Sequence, residues 1–173
     1  MRLKKPTFIG LLLVIFFFGQ YYYENNPKRE GFENNKVRVI DGDSLAIGTL
    51  RIRLQGIDAP ELKQECINIK SKKAYRCGEV AREYLIQLIN HQAIECTNEG
   101  LDRYQRQISY CYIGEFNLNR AMIISGNAVA YSKYDKSFVK EEQAAKLNKV
   151  GVWASRFKSP KQFRKTKSKI QKE

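Results

Sequence analysis

Three short runs of alternating apolar residues follow one another closely and constrain the fold more than any other feature. They are "KVRVI", "SLAI" and "LRIRLQGI", all between Lys36 and Ile57, with only turn residues between them. Parallel neighbours need a dozen or more residues to cross over, so these connections are too short for a parallel sheet. The pattern predicts three antiparallel strands joined by tight turns.

The rest of the chain predicts two more strands and about three helices. In "CGEVAREYLIQLINH" one face carries apolar residues at helical spacing, namely Val80, Ala81, Tyr84, Leu85, Leu88 and Ile89. "QAIECTNEG" and "RQISYCYIG" are strand-like and are joined by a polar loop containing "GLDRYQR". Five short strands with an inserted helix are typical of a Greek-key barrel of the oligonucleotide-binding type. We therefore expect an α+β, mainly β fold built on a five-stranded barrel of that type, preceded by an N-terminal hydrophobic helix.

Composition divides the chain into four segments. Residues 1–23 hold a basic cluster followed by an apolar run, which is the pattern of a signal peptide or membrane anchor, and 24–35 are a polar linker. The folded domain is predicted at 36–155. Residues 156–173 form a basic tail with 8 Lys and Arg against 1 acidic residue, in a chain of net charge +13. Such a tail is attracted to polyanions or to anionic lipid, or is simply solvated. By the positive-inside rule the domain lies outside the cytoplasm, anchored at its N-terminus or released.

Cysteine usage is consistent with that location. Cys66, Cys77, Cys96 and Cys111 are even in number and all follow the hydrophobic run, as in an oxidising compartment. Four cysteines allow three pairings. A zinc site is disfavoured because no C-x-x-C pair is present and the single histidine, His91, is distant in sequence.

Acidic residues are concentrated at one end of the first sheet. A hairpin turning near Gly48 brings Asp43 close to Arg53, and Pro60 ends the strand so that Asp58 and Glu61 lie on the loop that follows. Clustered carboxylates repel one another unless a cation lies among them, and their hard oxygens select Ca²⁺ or Mg²⁺. The alternative is a simple turn with an Arg53–Asp58 ion pair.

Several segments resemble the thermonuclease family, whose archetype is staphylococcal nuclease. They are "VIDGDSLAI", "RIRLQGIDAPE", "LDRYQRQISYCYIGEFNLNRAMIISGNAVAY" and "AAKLNKVGVW", in order across residues 37–155. The resemblance implies a Ca²⁺-dependent phosphodiesterase that hydrolyses DNA and RNA with little sequence specificity. It also implies metal ligands, namely the carboxylates of Asp43 and Asp58 and the backbone carbonyl of Ala59, with Asp41 supporting them.

The same resemblance assigns the remaining site residues. Arg53 and Arg106 would bind phosphate, and Glu61 would position or deprotonate the attacking water. Tyr104 and Tyr131 would line the nucleotide pocket. The physical logic is general, since a guanidinium fork matches two phosphate oxygens and stabilises charge that grows in the transition state.

Two features distinguish the chain from the archetype. Gln105 replaces the glycine usual in the second arginine motif. The four cysteines resemble those of exported bacterial members, and the register predicts the disulfides Cys66–Cys77 and Cys96–Cys111.

Two functions therefore compete at this point. One is a monomeric nuclease acting on DNA and RNA outside the cytoplasm. The alternative is a nucleic-acid-binding module on the same barrel without catalysis. Retention of both the acids and the arginines favours the nuclease.

Overall fold

The computed structural model describes residues 13–17, 28–33 and 36–170. Of the predicted signal or anchor, only 13–17 are described, and they are helical; the rest of residues 1–23 lies outside the described residues. Within the part of the chain that is described, no helix is both long and apolar enough to cross a bilayer.

Short strands are the most numerous elements. The strands are β1 (Glu30–Phe32), β2 (Val37–Asp41), β3 (Ser44–Ile47), β4 (Leu50–Leu54), β5 (Ile57–Asp58), β6 (Cys66–Asn68), β7 (Ala74–Tyr75), β8 (Ile94–Cys96), β9 (Gln107–Ser109), β10 (Cys111–Ile113), β11 (Phe116–Asn117), β12 (Val129–Ala130) and β13 (Ser155–Arg156). The α-helices within residues 36–170 are α1 (Cys77–Ile89), α2 (Leu118–Ile124), α3 (Val139–Leu147) and α4 (Pro160–Ile170). The predicted α+β class is confirmed.

The first sheet is the predicted antiparallel arrangement with one addition. β2, β3 and β4 pair in succession, with Ser44 opposite Arg53 and Leu45 opposite Ile52. β9 then joins the far side of β4 in parallel, giving the order β2-β3-β4-β9. This addition places the residue that precedes β9, Arg106, beside β4.

The other strands form three further sheets, of order β1-β8-β10-β11, β13-β6-β7 and β12-β5. The predicted strand "RQISYCYIG" is in fact two strands, because the chain changes sheets at Tyr110: β9 pairs with β4, and β10 pairs with β8. The pairings among the described residues leave four separate sheets. The closed five-stranded barrel is therefore not confirmed.

Helix α1 covers the first sheet with the predicted face, with one exception. Ala81, Leu85 and Ile89 are buried in the same core cluster as Leu45 of β3 and Ile52 of β4. Each large apolar side chain buried in this way contributes about 1.5–3 kcal/mol. Val80 is 48 % exposed, so the prediction that it belongs to the core is wrong. Its position on α1 turns it away from the sheet.

The C-terminal segment is held close to the acidic loop. β13 pairs with β6, and the backbone carbonyl of Lys158 accepts a 2.7 Å hydrogen bond from the side-chain amide of Gln64. Pro160 is buried at the first position of α4, where proline suits a helix because its missing N–H would have no helical partner. The basic tail thus contains a helix that begins beside residues 61–64.

Candidate active site

One guanidinium joins the two aspartates predicted to bind a metal. Arg53 Nη1 donates to Asp43 Oδ1 at 2.5 Å, and Nη2 donates to Asp58 Oδ1 at 3.3 Å. Nη2 also donates to the carbonyl of Ile57 at 3.2 Å. Asp43 and Asp58 are both buried, so each negative charge needs a partner. The predicted proximity of Asp43, Asp58 and Arg53 is observed.

Backbone groups and neighbouring side chains fix the orientation of Asp43. The N–H of Ala59 donates to Asp43 Oδ2 at 2.9 Å, and the Ser44 hydroxyl donates to Oδ1 at 3.0 Å. The N–H of Asp43 itself donates to Asp41 Oδ1 at 3.0 Å, which places Asp41 one hydrogen bond behind the predicted ligand. A Cβ on Gly42 would lie 2.7 Å from the Cβ of Ala59, so only glycine allows this close approach.

Burial shifts the pKa values of two of these acids upward. Desolvation raises the pKa of Asp41 to about 6, with repulsion from Asp43 adding to it. Desolvation also raises the pKa of Asp58; the hydrogen bonds from Arg164 oppose the rise, and repulsion from Asp43 reinforces it. The acids would therefore bind positive charge favourably at this end of the sheet.

Arg164 of α4 contacts the same carboxylates and was not predicted. Its Nη1 and Nη2 donate to the two oxygens of Asp58, each at 3.0 Å, and Nη1 donates to Glu61 Oε1 at 2.8 Å. Glu61 is thereby held next to Asp58, as predicted from the loop after Pro60. Arg164 lies 106 residues from Asp58 in sequence. The sequence signal that the tail could form a helix is the capping box of Ser159 and Gln162, in which the N–H of Gln162 donates to the Ser159 hydroxyl at 3.3 Å and the N–H of Ser159 donates to Gln162 Oε1 at 3.0 Å.

Gln64 is a second residue that the sequence did not point to. It is fully buried. Its side-chain oxygen accepts a hydrogen bond from the N–H of Glu61 at 3.3 Å, and its side-chain nitrogen donates to the backbone carbonyl of Lys158. The disulfide Cys66–Cys77 follows directly and ties β6 to the start of α1. A Cβ on Gly78 would lie 1.9 Å from the carbonyl oxygen of Glu61, so α1 packs directly on the loop. The position of Glu61 is therefore set by its surroundings on several sides.

Arg106 lies beside β4, level with Arg51 in the strand register, and is not part of the carboxylate cluster. Its Nε donates to Asp102 Oδ2 at 2.8 Å, and its backbone N–H and that of Tyr104 donate to Asp102 Oδ1. Because Gln107 lies opposite Ile52, Arg106 is next to β4. Among the described residues its ion pair is with Asp102, and no contact with Asp43 or Asp58 is recorded. Asp102 orients Arg106 and was not predicted.

The two predicted pocket tyrosines differ in environment. Tyr104 is 64 % exposed on the loop before β9, near Arg103 and Arg106. Tyr131 is half-buried; its N–H donates to the carbonyl of Gly56, and its ring packs against Tyr134 at 4.9 Å. The described contacts do not bring the two tyrosines together.

Comparison with known proteins places the chain in a family. A family model described as "Staphylococcal nuclease homologue" matches residues 51–155. An uncharacterized endonuclease of Haemophilus influenzae is 32 % identical over 158 residues, covering 87 % of this chain and 79 % of that protein. The chain belongs to the staphylococcal nuclease family.

Two further relatives agree with this assignment. The micrococcal nuclease of Shigella flexneri is 30 % identical over 145 residues, covering 74 % of this chain and 77 % of the relative. The succinoglycan biosynthesis protein ExoI of Rhizobium meliloti is 35 % identical over 118 residues, covering 66 % of this chain and 61 % of its own length. The chain thus spans less than two thirds of ExoI. The predicted family and the classification as a nuclease-type hydrolase are confirmed, as are the two predicted disulfides.

The donor chemistry of the site fits a hard divalent cation. Three carboxylates contact the two guanidinium groups, and Asp41 lies one hydrogen bond behind Asp43, so four formal negative charges are matched by only two positive ones in these contacts. Asp43 and Asp58 are buried oxygen donors that converge on one point, the guanidinium of Arg53. In the described residues, however, no three His, Cys, Asp or Glu side chains are grouped as ligands. The ligand set of Asp43, Asp58 and the backbone carbonyl of Ala59 stays a prediction.

The backbone conformation at Gln105 explains why the family usually has glycine at this position. Its φ is +61°, in the left-handed region that side chains with a Cβ adopt at a cost of about 1–2 kcal/mol. The loop nevertheless keeps the hydrogen bonds of Asp102 to its two backbone N–H groups. The side chain is tolerated and Arg106 remains anchored.

Gln105→Gly is expected to stabilise the protein. Relief of the left-handed strain exceeds the extra unfolded-state entropy of glycine, about 0.5–1 kcal/mol, so the net gain is up to about 1 kcal/mol. Equilibrium urea unfolding would measure it. Glu99→Gly in the same exposed loop, where φ is not positive, is the matched control and is expected to lose about 0.5–1 kcal/mol. Equal losses in both variants would contradict this account.

Proposed function

We propose that the protein is a calcium-dependent nuclease that hydrolyses phosphodiester bonds of DNA and RNA with little sequence specificity. One observation carries the proposal: the guanidinium of Arg53 lies between two buried aspartates, with Glu61 held beside them. Arginine recognises phosphate, and aspartate oxygens bind Ca²⁺. The site therefore combines both groups needed to bind a phosphodiester and expose it to water.

Each residue has a role that follows from its place. Asp43 and Asp58, with the carbonyl of Ala59, would hold Ca²⁺, and Asp41 would fix Asp43 through its N–H. When bound, the cation polarises the phosphate and offsets the charge of the acids. The arginines stabilise the extra negative charge on the phosphate oxygens as water attacks phosphorus.

Proton transfer is assigned to Glu61. As the water oxygen bonds to phosphorus, one of its protons passes to the carboxylate of Glu61 and the bond from phosphorus to the leaving oxygen breaks; the leaving oxygen then takes a proton from solvent, and Glu61 returns its proton to solvent. Glu61 can serve because Gln64 and the loop packing fix its backbone while its carboxylate reaches the cluster. Arg106, held by Asp102, would approach the same phosphate from the β9 side.

The wider features of the proposal rest on the fold and the cysteines. We propose that the two four-stranded sheets, which share the continuous segment β9–β10, are the parts of an oligonucleotide-binding-type barrel. The two disulfides support a location outside the cytoplasm, because disulfides persist in oxidising compartments. We further propose that the protein acts as a monomer, with the N-terminal segment as anchor or export signal.

A cleavage assay tests the function directly. Full-length protein in detergent is incubated with plasmid DNA and with single-stranded RNA, in Ca²⁺ and in excess chelator, and binding of the same substrates is measured in parallel. We expect cleavage of both substrates only with Ca²⁺. Binding without cleavage in Ca²⁺ would instead identify a non-catalytic nucleic-acid-binding module.

A further inference from the structure

Helix α4 begins at the candidate active site. The Gln64 side chain joins Glu61 to Lys158, β13 pairs with β6, and Pro160 is buried. The first turns of α4 therefore lie against residues 61–63. A groove between the helix and this loop is lined by Glu61, Leu62, Lys63, Phe163, Arg164 and Lys167.

All the charged side chains of the helix and of the residues just before it are positive. Residues 156–170 contain 7 Lys and Arg and no Asp or Glu. Lys161, Lys165 and Lys167 are exposed, and Lys63 and Lys167 both border the groove. A surface of this charge attracts a polyanion. Glu61 is the acid of the site that lines the groove, and it lies on the wall opposite α4, so the basic surface of α4 adjoins the candidate active site.

Arg164 has two possible kinds of partner. Its side chain is 41 % exposed, against 17 % for Arg53, so it reaches the acids from the solvent side. It takes both oxygens of Asp58, the residue that a bound cation would also use. A cation and Arg164 therefore compete for Asp58. A guanidinium released from a carboxylate can form the same bidentate contact with a phosphate.

We propose that α4 is a nucleic-acid-binding element of this site, in which Arg164 pairs with Asp58 and Glu61 until a divalent cation takes Asp58, and then binds a phosphate of the substrate strand. The proposal rests on the proposed function for its substrate. It assigns to the basic tail a contact with the strand itself. Cation binding and strand binding are then coupled through one side chain.

The first test is Ca²⁺ affinity without nucleic acid. Arg164→Gln in the full-length protein is compared with Lys165→Gln, which removes the same charge from an exposed neighbour on the same helix. By isothermal titration calorimetry, we expect Arg164→Gln to bind Ca²⁺ roughly five- to tenfold more tightly than wild type, because its competitor is gone. Lys165→Gln is expected to change the affinity much less. Weaker Ca²⁺ binding by Arg164→Gln would overturn the competition.

The second test is binding of a fluorescein-labelled phosphorothioate oligonucleotide, followed by anisotropy so that cleavage is not needed. In saturating Ca²⁺, Arg164→Gln is expected to bind roughly tenfold more weakly than Lys165→Gln. In chelator the two variants are expected to bind alike, because they carry the same net charge and Asp58 and Glu61 then hold the Arg164 side chain of Lys165→Gln away from the strand. Equal binding by the two variants in Ca²⁺ would overturn the role in strand binding.

The outcome is separable from that of the proposed function. If the wild-type protein cleaves nothing, but the two variants differ as expected in Ca²⁺ affinity and in oligonucleotide binding, hydrolysis is refuted and the role of Arg164 is supported. A wild-type protein that cleaves, with no difference between the two variants, would support hydrolysis and refute that role.

Discussion

Arg53→Ala is expected to lower kcat for nucleic-acid cleavage by about 10²–10³-fold. The substitution removes a preorganised positive charge that stabilises the phosphate as its negative charge grows. A fall in kcat of this size is typical when one such hydrogen-bond donor is removed. Arg51→Ala is the matched control, because Arg51 is an exposed arginine on the same strand, β4. It is expected to change the rate by less than about threefold, through general attraction alone. Equal losses in the two variants would show that Arg53 has no special role.

The same substitution is also expected to destabilise the protein when no calcium is present. Arg53 is the shared partner of Asp43 and Asp58, and its removal leaves buried carboxylates with less compensating charge. Breaking a buried pair costs about 3–5 kcal/mol, and partial exposure of Arg53 places the loss near about 3 kcal/mol. Thermal unfolding in chelator would show it as a decrease in Tm of roughly 6–12 °C.

Calcium separates the two effects of Arg53→Ala. A cation bound by the aspartates replaces the missing positive charge, so Ca²⁺ is expected to restore much of the lost Tm. It is not expected to restore kcat, because the phosphate still lacks its guanidinium. Recovery of both quantities would contradict a direct role of Arg53 at the phosphate.

Removal of the disulfide Cys96–Cys111 has the second large expected effect. The double substitution Cys96→Ala with Cys111→Ala is expected to lower the free energy of unfolding by about 3 kcal/mol, because the unfolded chain regains the freedom of a loop with a sequence separation of 15. Equilibrium urea unfolding under oxidising conditions measures the change. An unchanged midpoint would show that the sheet pairing alone holds β8 to β10.

The other disulfide provides an internal comparison. Cys66–Cys77 has a sequence separation of 11, so its loss is expected to cost slightly less stability. It also ties β6 to α1 close to Glu61 and Gln64. We therefore expect Cys66→Ala with Cys77→Ala to lower cleavage more than the Cys96 and Cys111 pair does, measured in folded protein well below either Tm.

Short-range constraints made the first hairpin and its acids predictable. Tight turns fix the register, and a strand period of two then fixes which side chains share a face, so Ser44 opposite Arg53 followed from the sequence. Asp58 and Glu61 followed because Pro60 ends the strand at the same edge. Cys96 was predicted to pair with Cys111 because antiparallel strands were expected on either side of the "GLDRYQR" loop, and the two residues do lie opposite each other, although β9 intervenes in sequence.

Long-range packing accounts for what was missed. The basic composition of the tail indicated attraction to polyanions, but no local pattern shows that Arg164 reaches Asp58. Gln64 acts through a hydrogen bond to a backbone carbonyl, which no side-chain pattern reveals. The break at Tyr110 was missed because the run on either side of it is continuously strand-like, and only the sheets that it joins reveal the division.

The long sequence separation between Arg164 and the acids that it contacts has a consequence for protein synthesis. A chain is made from its N-terminus, so Asp43, Asp58 and Glu61 leave the ribosome more than 100 residues before Arg164 does. Until α4 is complete, the nascent acids have Arg53 but lack their second guanidinium. The carboxylate end of the sheet is thus expected to reach its final form only after α4 has been made, and ambient cations can neutralise it in the meantime.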